Sequence, residues 1–167
     1  GHIYVGYQWF RPDRLFRTKT FTGALVEQFD FGGSKIGESV QVSFDGQFLN
    51  YWEALIAVGL NGETYDDQRT RGGPLMRQLS SQSTVMTLWS DTRKPFYGSL
   101  SLTAGRGQSG AWTFNPSLSI NWKATRTINA SINLDFARVH SEAQYVTTVT
   151  DPLAASTFGS RYVFGSR

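Results

Sequence analysis

Between Trp112 and Trp122 the chain alternates residue by residue. Trp112, Phe114, Leu118, Ile120 and Trp122 fall on one parity; Thr113, Asn115, Ser117, Ser119 and Asn121 fall on the other. A period of two belongs to a β-strand, whose successive side chains point to opposite faces. The next segment repeats the pattern: Ile128, Ala130, Ile132, Leu134 and Phe136 are set against Thr127, Asn129, Ser131, Asn133 and Asp135. Leu100, Leu102 and Ala104 oppose Ser99, Ser101 and Thr103, and Val40, Val42 and Phe44 oppose Gln41, Ser43 and Asp45. Trp52, Ala54, Ile56, Val58 and Leu60 oppose a mixed face with Glu53, Gly59 and Asn61. Weaker rows are Ile3, Val5, Tyr7 and Trp9, then Phe21, Leu25, Phe29 and Phe31; the phase of 84–89 is ambiguous. No helical period of useful length occurs. The expectation is an all-β chain of about eight strands, with a ninth opening near Arg161.

The connections alternate in length. Phe10–Asp13, 91–95 and 123–126 are tight and polar, whereas 61–82 and 139–160 are long, and Gly32-Gly33-Ser34-Lys35 and 105–110 are Gly-rich. The turn between Asp45 and Asn50 is open to two placements. Asp45-Gly46 is a hairpin signal, but a turn at Leu49-Asn50 leaves more even strands.

Two architectures compete for such a pattern. A soluble sandwich or barrel has strands of about 5–6 residues and an outer face rich in Lys and Glu. A membrane barrel has strands of ~9–11 residues, apolar outside and polar inside, with aromatic girdles at both interfaces. Trp112 and Trp122 are ten residues apart on one face. That is roughly 33 Å along a strand, and about 25 Å of height at a tilt near 40°, the depth of the outer-membrane apolar band. The polar parity is Ser, Thr and Asn, and most charges lie in connections. Charged residues make up only 17% of the chain and aromatics 14%, against roughly a quarter charged in an ordinary soluble domain. The membrane barrel is therefore the expected fold, with Trp52, Trp112, Trp122 and Phe136 as membrane-interface aromatics. Pro116 lies mid-strand and predicts a bulge or local defect. Glu27 falls on the apolar parity, so it belongs outside the hydrocarbon or marks a phase slip.

The chain opens Gly1-His2-Ile3-Tyr4 without methionine, and Arg161-Tyr162-Val163-Phe164 opens a strand near its other end. Residues 1–167 are accordingly expected to be a piece of one outer-membrane β-barrel domain, an antiparallel up-and-down barrel to which this chain contributes about eight strands.

Six stretches carry a resemblance: Asn50-Tyr51-Trp52, 66–75 (Asp-Asp-Gln-Arg-Thr-Arg-Gly-Gly-Pro-Leu), Asp91-Thr92-Arg93-Lys94-Pro95, Pro116-Ser117-Leu118-Ser119, Ala143-Gln144-Tyr145-Val146 and Arg161-Tyr162-Val163-Phe164. In this order and spacing they resemble the C-terminal barrel region of a family of bacterial outer-membrane proteins of unknown function, whose members carry an N-terminal domain similar to a family-nine carbohydrate-binding module. The resemblance runs from about Gly37 onward. It implies an outer-membrane location in a Gram-negative-type bacterium, outer-membrane lipid and lipopolysaccharide as surroundings, and carbohydrate as a partner through a module outside this chain. It supplies no catalytic residues.

The motifs that suggest chemistry are sparse. Without cysteine there is no disulfide, thiol nucleophile or Cys-ligated metal. The longest apolar stretch, Ala54–Val58 extended to Leu60, is far short of the ~18 residues of a membrane helix. Gly105-Arg106-Gly107-Gln108-Ser109-Gly110 matches GxGxxG, but an alternating strand follows where a dinucleotide site needs a helix. His140-Ser141-Glu142 is a local triplet whose neighbours point to opposite faces of a strand. Asn61, Glu63, Asp66 and Asp67 have oxygen ligands but fit no calcium-loop spacing. Arg69, Arg71 and Arg77 are the candidate anion contacts, because guanidinium groups clamp phosphate or carboxylate bidentately. The competing reading folds their loop on itself or into the lumen. Cations dispersed among turns form no nucleic-acid motif, so no nucleic-acid partner is expected, nor a metal or cofactor. The expected function is a barrel that anchors or serves a carbohydrate-handling module or passes solute. The alternatives are an outer-membrane hydrolase with its active site largely elsewhere, and a soluble β-sandwich binding module.

Overall fold

Strand periodicity propagates into a single meander. The computed structural model describes residues 1–66, 68–70, 74–141 and 144–166. Its strands are β1 (His2–Trp9), β2 (Phe16–Phe29), β3 (Lys35–Phe48), β4 (Glu53–Asn61), β5 (Thr64–Asp66), β6 (Met76–Gln78), β7 (Ser81–Trp89), β8 (Phe96–Gly107), β9 (Trp112–Lys123), β10 (Asn129–Asp135), β11 (Arg138–His140), β12 (Gln144–Thr150) and β13 (Ser160–Gly165). The main sheet runs β1-β2-β3-β4-β7-β8-β9-β10, with β11 also on β9, and every pairing is antiparallel. The eight long strands are the eight that the alternation predicts. The sheet is open: β1 and β10 are its two edges, and no ladder joins them among the described residues. β5–β6 and β12–β13 are separate hairpins. The segments 61–82 and 139–160, expected as plain connections, thus contain short strands, and the ninth strand expected near Arg161 pairs with β12 outside the main sheet.

The registers sort the two parities onto two faces. One row crosses Tyr7, Phe21, Phe44, Ile56, Met86, Leu102 and Pro116. The adjacent row, on the other face, crosses Gly6, Thr22, Ser43, Ala57, Val85, Thr103 and Asn115. The same registers settle the phase of 84–89: Thr84, Met86 and Leu88 join the apolar face, and Trp89 joins the polar one. Among the described residues nothing packs over the apolar face. Contacts between described elements are between ladder neighbours, apart from β3 with β5 and β13 with its adjoining 3₁₀ turn, Ala155–Thr157. Ile56, Val58, Leu60, Met86 and Leu100 are each at least 40% exposed, and the sole buried apolar side chain among the described residues, that of Ala57, lies on the polar face beside Thr87, which is also buried. The sheet therefore curls toward its polar side. Its accessible surface is 11989 Å², where a compact soluble chain of this mass would expose about 8,300 Å². The described residues form no two-layer sandwich.

Loop lengths separate the ends. The four turns at one end are short, and each is built on a side-chain oxygen that accepts backbone N–H groups, the device that lets Asp, Asn and Thr stabilise turns. Asp13 Oδ1 accepts from Leu15 and Phe16 at 2.9 and 2.8 Å, and Asn50 Oδ1 from Trp52 at 3.1 Å. Asp91 Oδ1 accepts from Arg93 at 3.1 Å, and Thr125 Oγ1 from Thr127 and Ile128 at 3.2 and 3.0 Å. The other end carries the Asp30–Ser34 turn, the 61–80 connection with β5–β6, and the β8–β9 turn. Glu27 sits at this end, where Lys35 Nζ lies 3.5 Å from it and 3.3 Å from Glu38.

The β3–β4 turn falls at 49–51, with Tyr51 at φ 66°. The Asp45-Gly46 pair is inside β3. Gly46 is needed there for space: a Cβ would lie 2.6 Å from the Phe16 ring. That ring covers the glycine, stacked on Phe48 at 4.8 Å and edge-on to Phe44 at 5.6 Å, the aromatic cover that offsets a glycine in a strand. Pro116 leaves the β8 register unbroken. Its missing donor falls on the other side, where Phe136 N–H donates to Pro116 O at 3.0 Å with no return bond, and the outer strand is interrupted into β10 and β11.

The packing over Gly46 yields a direct expectation. Gly46→Val should displace the Phe16 ring and destabilise the folded chain by ~1–3 kcal/mol, the usual cost of overpacking. In the Phe16→Ala background the same substitution should cost much less. Equal costs in chemical denaturation of the two backgrounds would refute the packing role.

Candidate functional site

In the described part of the 61–80 connection, charges are paired within the loop. Asp66 Oδ1 accepts the backbone N–H groups of Gln68 and Arg69 at 2.9 and 3.0 Å, and Asp66 Oδ2 lies 3.5 Å from Arg69 Nε. Across the β5–β6 hairpin the Arg77 guanidinium pairs with Glu63, its Nε donating at 3.2 Å. Thr70, buried, donates to Pro74 O at 2.9 Å and closes the bend. Arg71 lies outside the described residues, as does Asp67. Of the three candidate anion contacts, Arg69 and Arg77 therefore each have an internal carboxylate partner. The same pairs engage Glu63 and Asp66, and Asn61 Nδ2 donates to Ser81 Oγ at 3.0 Å. No group of three metal-ligating side chains occurs among the described residues.

Arg69 and Arg77 nevertheless share a cleft of about 410 Å³ at this end of the sheet, whose lining also includes Ser83, Thr103, Arg106 and Trp112. Arg106 was not singled out by its motif. It stands on the parity of Leu102 and Ala104, directly opposite Trp112. The GxGxxG stretch that contains it is strand and hairpin turn: Gly107 N–H donates to Ala111 O at 2.7 Å, and Gly110 adopts φ 93°. His140 pairs with Trp112 across β9–β11, and their rings stack with centroids 6.3 Å apart. Its ring is committed to Trp112, and Glu142 of the local triplet lies outside the described residues.

The short-turn end has its own cluster. Tyr51 is held between two guanidinium groups, Arg93 at 3.1 Å and Arg17 at 4.1 Å from the ring centroid. Arg93 is fixed in turn by a two-pronged bond to buried Asp91, Nε and an Nη donating at 2.8 Å each. Two of the stretches that carry the family resemblance, 50–52 and 91–95, thus meet in space. Around them the turn segments 10–19, 49–52, 90–95 and 123–128 contain eight Lys or Arg and two Asp or Glu.

The four expected interface aromatics occupy three levels of the apolar face. Trp52 and Trp122 lie at the short-turn end, with Trp9, Phe16, Phe48 and Phe96 near them, and Trp112 lies at the loop end. Phe136 faces Pro116, near mid-height. No family model, curated protein or solved structure matches the chain.

The Asp91–Arg93 bond predicts a pH response. The paired guanidinium holds the Asp91 carboxyl at about 2, below the usual 3.8. A group depressed on folding contributes stability above its ordinary value and loses it as pH falls through the folded one. Hydrogen-exchange protection of the 90–98 turn should fall between about pH 4 and pH 2 in the wild type. Asp91→Asn should lower it at neutral pH and flatten that step; an unchanged profile would refute the bond.

Proposed function

We propose that this chain forms part of the wall of an outer-membrane β-barrel, its apolar face toward lipid and its polar face toward the barrel interior. The observation that carries this is the unpartnered apolar face: row after row of Val, Ile, Leu, Met and Phe is exposed, with no second layer over it among the described residues. Hydrocarbon is the medium in which such a face is stable and a Ser/Thr/Asn face must turn inward. The alternation of short turns with long loops supports the same reading, with short turns toward the periplasm and loops toward the outside. The unpaired outer sides of β1 and β10 need further strands to close the barrel, since a spanning sheet cannot leave an edge in lipid.

Within this reading the barrel is an anchor or a pore. The polar face gives a lumen lined by Thr22, Ser43, Thr103 and Asn115 with few charges, suited to small neutral solutes. The link to carbohydrate handling comes from the sequence resemblance. A hydrolase within these residues has little support, because the His140 ring stacks on Trp112 and faces away from the serines of the polar parity.

Flotation tests the central point. The full-length protein carrying this chain should co-float with phosphatidylcholine vesicles, resist extraction by carbonate, and keep β9 and β10 intact under external protease. Recovery in the soluble fraction without detergent would remove the membrane reading. Once inserted, the protein should conduct in planar bilayers if it is a pore; silence would leave the anchor.

A further inference from the structure

Arginine on an apolar sheet face is costly away from the water boundary, about 2–4 kcal/mol at a bilayer midplane and near zero at the interface. Besides Arg17 beside the bulge at the short-turn rim, the main sheet places two on that face, Arg106 and Arg138, and both flank Trp112. Arg106 is its direct cross-strand neighbour in β8. Arg138 stands opposite Phe114, one row further in, and reaches back over the Trp112 ring at 5.5 Å from the centroid. A long cationic side chain that bends toward a rim in this way carries its charge out of an apolar region. His140 stacks on the same ring. Neither guanidinium has a carboxylate partner among the described residues, whereas Arg69, Arg77, Arg93 and Arg161 each have one.

The height of the patch is set by the ladder. Phe96 pairs with Trp122 and Arg106 with Trp112, so Arg106 lies ten residues along β8 from the short-turn aromatics. At ~3.3 Å per residue and a tilt near 40°, that is about 25 Å, the opposite border of the apolar band. Just inside it the same face carries Ala104, Phe114 and Phe136. Two cations with no carboxylate partner among the described residues, and an indole, therefore mark the level where acyl chains end and head groups begin.

Resting on the membrane reading above, we propose that Arg106, Arg138 and Trp112 form a binding site for the phosphate of a lipid head group in the leaflet at the loop end. The guanidinium groups donate to the phosphate oxygens, Trp112 sits at the glycerol or sugar level, and the acyl chains run down the Ala104–Phe114–Phe136 surface. Arg69 and Arg77, with their charge met by Asp66 and Glu63, serve to shape the loop. Charge complementarity selects an anionic lipid.

The test uses the full-length protein purified in dodecyl maltoside. It is titrated with bisphosphorylated lipid A and with the same lipid dephosphorylated, and bound lipid is counted by native mass spectrometry. The phosphorylated form should bind at least about tenfold more tightly, as expected for two charge-assisted contacts. The Arg106→Gln/Arg138→Gln variant should lose that preference while binding the dephosphorylated lipid as before. Millimolar inorganic phosphate should leave the bound lipid in place; displacement would assign the site to a free anion and overturn the proposal. A double variant that keeps the preference would also overturn it. Insertion into phosphatidylcholine vesicles, measured in parallel for both proteins, separates the failures. A protein that inserts but shows no phosphate preference refutes the head-group site alone, whereas one that does not insert refutes the membrane reading beneath it.

Discussion

A sheet of one layer satisfies its backbone through ladders, but it cannot hide its own faces. In this chain consecutive antiparallel ladders run from β1 to β10, so backbone hydrogen bonding is met between neighbouring strands and left open along the outer sides of β1 and β10. The side chains are not settled in the same way. Fully burying one Val, Leu, Ile, Phe or Met is worth about 1.5–3 kcal/mol, and an apolar face spanning eight strands leaves that stabilisation to whatever covers it. Every other feature follows from how the chain handles this imbalance: the curl toward the polar side, the gathering of charge at the ends, and the glycines and proline tolerated where an edge or a neighbouring ring makes room.

The ends of the strands carry the polar chemistry because the middle excludes it. At the short-turn end, Asp13, Asn50, Asp91 and Thr125 each turn the chain with a side-chain oxygen, and arginine stacking on Tyr51 ties two of those turns together. At the loop end, ion pairs such as Arg77–Glu63 and Lys35–Glu38 consume most of the charge. Arg106 and Arg138 stand out against that background by having no acidic partner among the described residues.

Much of the fold was legible in the sequence because strand alternation is a local signal. Seven of the eight long strands announce themselves through side chains two residues apart, β7 being ambiguous in phase, and the apolar parity of Trp112–Trp122 and Trp52–Leu60 carries directly into the registers. Three things were less legible. The Asp45-Gly46 hairpin signal misleads because Gly46 is required by the Phe16 ring from another strand, a tertiary reason that no window of sequence contains. The strands β5, β6 and β11 have three residues each, too few for alternation to stand out from a polar loop, and a register shift between Tyr145 and Thr147 breaks the phase of β12. For the candidate site, Arg69 and Arg77 were visible as cations, but their neutralisation by Asp66 and Glu63 depends on a hairpin. Arg106 and Arg138 were visible only as extensions of the Leu102–Ala104 and Leu134–Phe136 parities past the points where the alternating rows were read to stop.

The central claim is that one parity of the main sheet faces lipid and the other faces water. These 167 residues contain no cysteine, so single cysteines can be introduced in turn at Ser117, Leu118, Ser119 and Ile120 of β9 in the full-length protein, with any cysteine elsewhere in it replaced by serine. Each is spin-labelled after reconstitution into phosphatidylcholine bilayers, and its collision rate is measured with oxygen and with an aqueous nickel chelate. The account predicts a strict period of two, with labels at 118 and 120 favouring oxygen and those at 117 and 119 favouring the chelate. Equal accessibility on both parities, or chelate preference at 118 and 120, would contradict it.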